Sequence, residues 1–127
     1  MPHLKIEYTG NLDAQSDMQA LCAALARTLV ELKNEQGQPV FPLHGTRVLA
    51  YPAPYHAVAD GAAERAFVYL NLRITPGRSA AQLDAVGAAL LAVTQQHFAA
   101  LLEQQPLRVT LHIDEGQPVY EGKLAGA

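Results

Sequence analysis

The residue with the clearest capacity for chemistry is Pro2, the second residue of the chain. If Met1 is removed, Pro2 presents a free secondary amine at the tip of a strand predicted over residues 2–8. Nearby cations or an apolar pocket lower the pKa of an amine, because both disfavour its charged form. Such an amine can act as a general base near neutral pH. A Met-Pro start without any catalytic role is the alternative interpretation.

Two arginines stand where they could bind an anion. Arg78 lies in a Thr-Pro-Gly-Arg-Ser turn that opens a predicted helix, and the free N–H groups and positive dipole of a helix start attract anions. Arg47 follows the loop of residues 41–46 and begins a predicted strand. The planar fork of a guanidinium suits carboxylates. Taken singly, each arginine is better explained as a solvated surface cation, but the carboxylate-binding interpretation stays open.

Histidine and cysteine spacing argues against a metal site. The five histidines, at positions 3, 44, 56, 97 and 112, show no HxH or HExxH pairing, and the single cysteine has no CxxC partner. Cys22 is expected to be a small buried thiol within a helix. His97 lies on the apolar stripe of a predicted helix and is expected to be a packed core residue. His44, in the loop before Arg47, is either solvated or in contact with a ligand.

Two segments show helical spacing of their apolar residues, at about 16–35 and about 79–105. Each begins with a capping-box pattern, in which a serine is followed three residues later by a glutamine: Ser16 with Gln19, and Ser79 with Gln82. Gly87 within the second helix predicts a close contact between helix and sheet.

Alternation of apolar and polar residues predicts strands at 4–8, 66–74 and 107–113. A fourth strand is predicted between Arg47 and Tyr55, where Pro52 and Pro54 make it an edge strand or an interrupted one. The order strand–helix–strand therefore occurs twice. It predicts an α+β fold, a duplicated β-α-β two-layer sandwich with a four-stranded sheet and two helices on one face. The chain is expected to be a single domain, 1–127, with pseudo-repeat halves of about 1–62 and 63–127.

The sheet face without helices is predicted to carry Phe67 and Tyr69 beside polar residues. A face of this kind is usually covered in an oligomer. The formal charge of −3 argues against general binding of nucleic acid or of anionic membranes. No secretory signal and no long apolar run is apparent in the sequence, so we expect a cytoplasmic protein without a membrane span.

Taken together, the ordered motifs resemble the tautomerase superfamily and, within it, the 5-carboxymethyl-2-hydroxymuconate Δ-isomerases. The resemblance covers nearly the whole chain in order and weakens after Glu115. The matching stretches are Pro2 with His3, residues 41–43 with Gly45 and Arg47, and residues 59–61, 66–68, 77–79 and 97–101.

The resemblance implies that Pro2 is the general base and that Arg47 and Arg78 hold the carboxylates of the substrate. It further implies a homotrimer, no cofactor, and a reaction that moves a proton along a conjugated enol acid in homoprotocatechuate degradation, a branch of aromatic catabolism. One departure is that residues 48–52 lack a second arginine beside the first. A tautomerase acting on another unsaturated keto acid and a non-catalytic trimeric binding protein remain the alternatives.

Overall fold

The chain forms two successive β-α-β units, which the computed structural model describes over residues 2–127. The first unit comprises β1 (His3–Thr9), α1 (Met18–Glu31) and β2 (Arg47–Ala53). The second comprises β3 (Ala66–Ile74), α2 (Ala80–His97), the short α3 (Ala99–Gln104) and β4 (Leu107–Glu115). The predicted α+β fold with a duplicated β-α-β plan is confirmed, whereas the exact division into halves near residue 62 stays a prediction.

The four strands form one mixed sheet in the order β2-β1-β3-β4. Strands β1 and β2 are parallel, as are β3 and β4, while the two inner strands β1 and β3 run antiparallel. As a result, β1 and β2 begin at the same end of the sheet at which β3 and β4 finish. The register at that end pairs His3 with Arg47 on one side and with Arg73 on the other. As predicted, β2 is an edge strand.

Both long helices cover one face of the sheet, as predicted. The strand side chains beneath them are sealed from solvent, with Leu4, Ile6, Val68, Leu70 and Leu72 all 0% exposed. Burial of one such side chain contributes about 1.5–3 kcal/mol. The helices complete this core with the stripe Leu21, Leu25 and Leu29 from α1 and with Val86 and Leu90 from α2.

The sequence pattern indicates the start of α2 correctly but misplaces the cap of α1. At α2 the capping box of Ser79 and Gln82 is present in both directions. The capping box predicted at Ser16 is wrong, because Asp17 is the N-cap of α1 and its carboxylate accepts from the Ala20 N–H at 3.0 Å. Aspartate is as good an N-cap as serine, and the Ser16 hydroxyl is instead hydrogen-bonded to His97 Nε2 at 2.8 Å.

The second predicted helix is divided at Phe98, a buried residue whose backbone leaves the helical region at φ −98° and ψ 12°. His97, at the end of α2, is half-buried rather than fully packed, with its ring set edge-on to Phe98 at 4.8 Å between centroids. Burial lowers the pKa of His97. Cys22 is half-buried against the core, and burial raises the pKa of its thiol.

The opposite face of the sheet has no helix over it and carries mixed side chains. Phe67 and Tyr69 stack at 6.4 Å between ring centroids, and the Tyr69 hydroxyl is hydrogen-bonded to His112 Nδ1 at 2.9 Å. We refer to this as the bare face. Among the helices of residues 2–127, none has both the length and the apolar character needed to cross a membrane.

Candidate active site

The predicted base lies where the two parallel strands of the first unit begin. Pro2 is buried, directly before the inner strand β1, and its carbonyl oxygen accepts the Arg47 backbone N–H at 3.4 Å. This contact is long for a hydrogen bond, but it continues the β1–β2 ladder. The structure therefore brings Pro2 and the start of β2 together, as the site prediction requires.

The side chain of Arg47 is oriented by His3. The Arg47 Nε donates to His3 Nδ1 at 2.8 Å, so this ring nitrogen is an acceptor and carries no proton. Burial lowers the pKa of His3, and the positive charges of Arg47 and Lys5 lower it further. At neutral pH the uncharged His3 imidazole thus holds the Arg47 guanidinium in a fixed orientation.

Three basic side chains line one cavity at this end of the bare face. His3, Arg47 and Arg73 surround a space of about 340 Å³, together with Ile74, Thr75, Gly116, Pro118 and Glu121. Glu121 brings one carboxylate to the wall, and it pairs with Lys123 at 3.4 Å. A second space of about 640 Å³ adjoins the first and is bounded by residues 42–47 and 121–125, including His44. Two guanidinium groups beside one cavity suit a ligand with carboxylates.

Arg73 is the cavity residue that sequence reasoning missed. The alternation along β3 places Arg73 on the same face as Phe67 and Tyr69, but nothing in the local sequence indicates that it lies near Arg47. That neighbourhood comes from pairing across three strands, in which His3 lies between Arg47 and Arg73. The signal available was the alternation itself, combined with a correct strand order.

Arg78 occupies a different position from Arg47. The turn before it contains Gly77 at φ +125°, a backbone conformation that glycine adopts without strain. The Arg78 guanidinium lies 4.6 Å from the Phe41 ring centroid and donates to the carbonyls of Val40 and Thr75, each at 3.1 Å. It is thus held at the same end of the sheet, yet it does not line the cavity of His3, Arg47 and Arg73.

The described residues offer no cluster suited to a metal ion. No group of three or more His, Cys, Asp or Glu side chains in residues 2–127 converges as metal ligands would. The groups gathered at this end of the sheet are a buried proline, a neutral imidazole acceptor, arginines and the Glu121 carboxylate.

Several solved proteins share this architecture. Solved structures at 16–19% identity share the fold, with TM-scores of 0.61 and 0.68 for two proteins named Pt0534 and Ps01740. A fused 4-OT protein described as a symmetric trimer is 18% identical with a TM-score of 0.51. These likenesses show that the chain shares their fold.

The chain belongs to the 5-carboxymethyl-2-hydroxymuconate isomerase family, whose model matches residues 2–126. It is 31% identical over 123 residues to the 5-carboxymethyl-2-hydroxymuconate Delta-isomerase of Escherichia coli, covering 97% of this chain and 93% of the relative.

Two crystal structures of such enzymes are closely similar. A 5-carboxymethyl-2-hydroxymuconate delta-isomerase is 42% identical with a TM-score of 0.93, covering 98% of this chain and 89% of the other. A 5-carboxymethyl-2-hydroxymuconate isomerase from Deinococcus radiodurans R1 is 34% identical with a TM-score of 0.85, covering 98% and 90%. The chain is accordingly an isomerase of the tautomerase superfamily.

Proposed function

We propose that this isomerase converts 5-carboxymethyl-2-hydroxymuconate to its keto form, with the nitrogen of Pro2 as general base. The observation that carries the proposal is the position of Pro2. It is buried before an inner strand, and its carbonyl oxygen accepts a hydrogen bond from the backbone N–H of Arg47, a residue that lines the cavity. Burial and nearby cations both lower the pKa of an amine, which suits a base near neutral pH. The base is available only once Met1 is removed, and that residue lies outside the described ones.

The proposed step is a proton transfer with no change of oxidation state. The Pro2 nitrogen takes the proton of the 2-hydroxyl group, so the O–H bond breaks and the charge spreads along the conjugated chain. The same proton then returns to C3 or C5, the carbons at which a dienolate carries negative charge, and a C–H bond forms. Cations near the carboxylates and the developing oxyanion stabilise this dienolate. The balance requires no cofactor.

Arg47 and Arg78 are proposed to bind carboxylates of the substrate. Arg47 lies at the start of β2 and lines the cavity, with its Nε hydrogen-bonded to His3. Arg78 uses two of its donors on backbone carbonyls, and its remaining donors suit a carboxylate. Because Arg78 does not line the Arg47 cavity within one chain, the two arginines are proposed to hold different parts of the substrate.

We further propose a homotrimer in which the bare faces pack together. The half-buried ring stack of Phe67 and Tyr69 provides an apolar centre for that packing, and Tyr51 remains 48% exposed on the same face. A superfamily neighbour of the same fold is described as a symmetric trimer. A small, highly charged acid as substrate suits a cytoplasmic enzyme of homoprotocatechuate breakdown.

The test is an ultraviolet assay of ketonisation with protein whose intact mass shows that Met1 is absent. Wild type should turn over 5-carboxymethyl-2-hydroxymuconate, and Pro2→Ala should reduce kcat by about 10²–10⁴-fold with an unchanged circular dichroism spectrum. Pro52→Ala, on β2 at the opposite end of the sheet, is the matched control and should retain activity. Full activity of Pro2→Ala would contradict the assignment of the base. Inactivity of wild type on this acid and on related keto acids would favour a binding protein.

A further inference from the structure

We infer that Arg73 binds the carboxylate of the carboxymethyl branch and thereby selects the branched substrate over unbranched 2-hydroxymuconate. This inference rests on the proposed function. It adds a third arginine to the two that the family resemblance assigns, and it gives that arginine a separate task, which is specificity.

The sheet places Arg73 opposite the residue that follows the proposed base. Its register partner on β1 is His3, the residue after Pro2, and His3 pairs in turn with Arg47 on β2. Side chains of directly paired residues lie on the same face of a sheet. Arg47, His3 and Arg73 therefore form a row across three strands on the bare face, and all three line the same cavity.

The Arg73 side chain also has no partner among the described residues. No hydrogen bond or ion pair joins its side chain to another residue of the range 2–127. Two carboxylates are near enough by position to compete, and both are engaged elsewhere. Asp114, its register partner on β4, accepts from Asn71 Nδ2 at 2.7 Å, and Glu121 pairs with Lys123. Within residues 2–127, therefore, the Arg73 guanidinium is a cation in a cavity wall that no other group pairs with.

The backbone beyond β4 leaves room for this guanidinium. The Arg73 guanidinium lies against Gly116, and a Cβ atom at position 116 would overlap this guanidinium. The Gly116 N–H donates to the Ile74 carbonyl at 3.0 Å, so the close approach is fixed by a backbone hydrogen bond. A side chain at position 116 would displace Arg73 from this place.

The number of carboxylates in the substrate supports a third cation. 2-Hydroxymuconate carries two, one at each end of its chain, and the carboxymethyl group adds a third as a side branch. Arg47 and Arg78 are proposed for the two terminal groups. On binding, the branch carboxylate loses hydration. If no protein group replaced that hydration, the loss would cost much of the binding free energy. Arg73 supplies the partner, and its planar fork can bond such a group at two points.

The decisive measurement is kcat/KM for both acids in wild type, Arg73→Ala, Arg73→Lys and Arg108→Ala. Arg108 is the matched control, because it lies on β4 of the same sheet near the opposite end and is likewise exposed. Arg73→Ala should lower kcat/KM for the branched acid by about 30-fold and for the unbranched acid by less than about threefold. Arg73→Lys should recover part of the loss, and Arg108→Ala should change neither value.

The outcomes separate the two proposals. If wild type converts the acids but Arg73→Ala lowers both values equally, or neither, the inference on Arg73 is overturned and the proposed function stands. If wild type converts neither acid, the proposed function fails, and the substrate assignment of Arg73 fails with it.

A binding experiment checks the same inference without turnover. Glutarate and propane-1,2,3-tricarboxylate share one backbone and differ by a single branch carboxyl group. Calorimetry should show tighter binding of the tricarboxylate by wild type, and no preference in Arg73→Ala. Equal affinities in wild type would argue against a branch site.

Discussion

The two faces of the sheet differ in how the same strands use their residues. On the helix-covered face, β1 and β3 present leucine, isoleucine and valine side chains that are 0% exposed. On the bare face, the alternate residues of the same strands carry His3 and Arg73, with Arg47 in register from β2. Every second residue thus supports the fold, and the residues between them supply the charges of the candidate site.

This separation explains how the site can be rich in cations without weakening the core. Burying a guanidinium group is costly, but the bare face leaves Arg47 and Arg73 exposed. The stability of the chain should therefore respond to changes on one face, and its activity to changes on the other. Variants of adjacent residues test this directly.

The largest effect on stability is expected from Leu70→Ala, in the middle of β3 on the covered face. It should reduce the free energy of unfolding by about 2–5 kcal/mol, because it removes buried methyl groups and leaves a cavity. The matched variant is Tyr69→Ala, one residue away on the bare face. Urea denaturation followed at several protein concentrations measures both.

Tyr69→Ala should act mainly on association, so its effect should be small in dilute protein, where wild type also dissociates, and should grow to a constant value as the protein concentration rises. A loss for Tyr69→Ala that equals the loss for Leu70→Ala at every concentration would contradict the difference between the faces.

The next largest effect is expected on activity, from Arg47→Ala. Loss of a charged hydrogen-bonding partner of a carboxylate should lower kcat/KM by about 10–150-fold, corresponding to about 1.5–3 kcal/mol. Steady-state kinetics with the ultraviolet assay measure this, and Arg108→Ala again serves as the control. An Arg47→Ala enzyme with wild-type kcat/KM would remove Arg47 from the carboxylate site.

A smaller effect is expected from changes at His3, which orients Arg47. His3→Asn keeps an acceptor atom at the position of Nδ1 and should preserve KM, whereas His3→Gln places its amide farther out and should raise KM about tenfold. The pH dependence of inhibitor binding provides a second readout. As pH falls through the lowered pKa of His3, Nδ1 gains a proton and can no longer accept from Arg47.

Affinity for a dicarboxylate inhibitor should therefore weaken on acidification in wild type, with this ionisation absent in His3→Asn. Identical pH profiles of wild type and His3→Asn would show that His3 has no such role.

The smallest effect concerns His97, which lies on the covered side. Because burial lowers its pKa in the folded chain, the unfolded chain binds a proton more readily. The contribution of neutral His97 is complete above a pH of about 6.5, the usual histidine value, and declines as pH falls below it. His97→Gln should reduce the decline in melting temperature between pH 7 and pH 5 by less than about 3 °C. If the melting temperature of His97→Gln falls with pH as steeply as that of wild type, other groups cause the decline.

The sequence predicted the covered face well because local periodicity determines it. The alternation of β3 and the capping box at Ser79 both depend on residues close in the chain, and both are confirmed. The failed prediction at Ser16 has a long-range cause, since the serine hydroxyl is bonded to His97, 81 positions away. The break at Phe98 likewise has no glycine or proline to indicate it.

The candidate site was only partly predictable for the same physical reason. Pro2, Arg47 and Arg78 were identified by residue type and by family resemblance. The contact of Arg47 with His3 spans 44 positions, and the position of Arg73 depends on β3 lying next to β1. Local patterns contain no information about such pairings until the strand order is known.

The burial of Pro2 has a practical consequence for handling the protein. Chain ends are commonly exposed and tolerate fusions, but here the residue before the inner strand β1 lies inside the structure. A purification tag placed before Pro2 would have to pass out through the cavity end of the sheet and would block the nitrogen. Residues 117–127 are exposed, so a tag after Ala127 leaves the interior undisturbed.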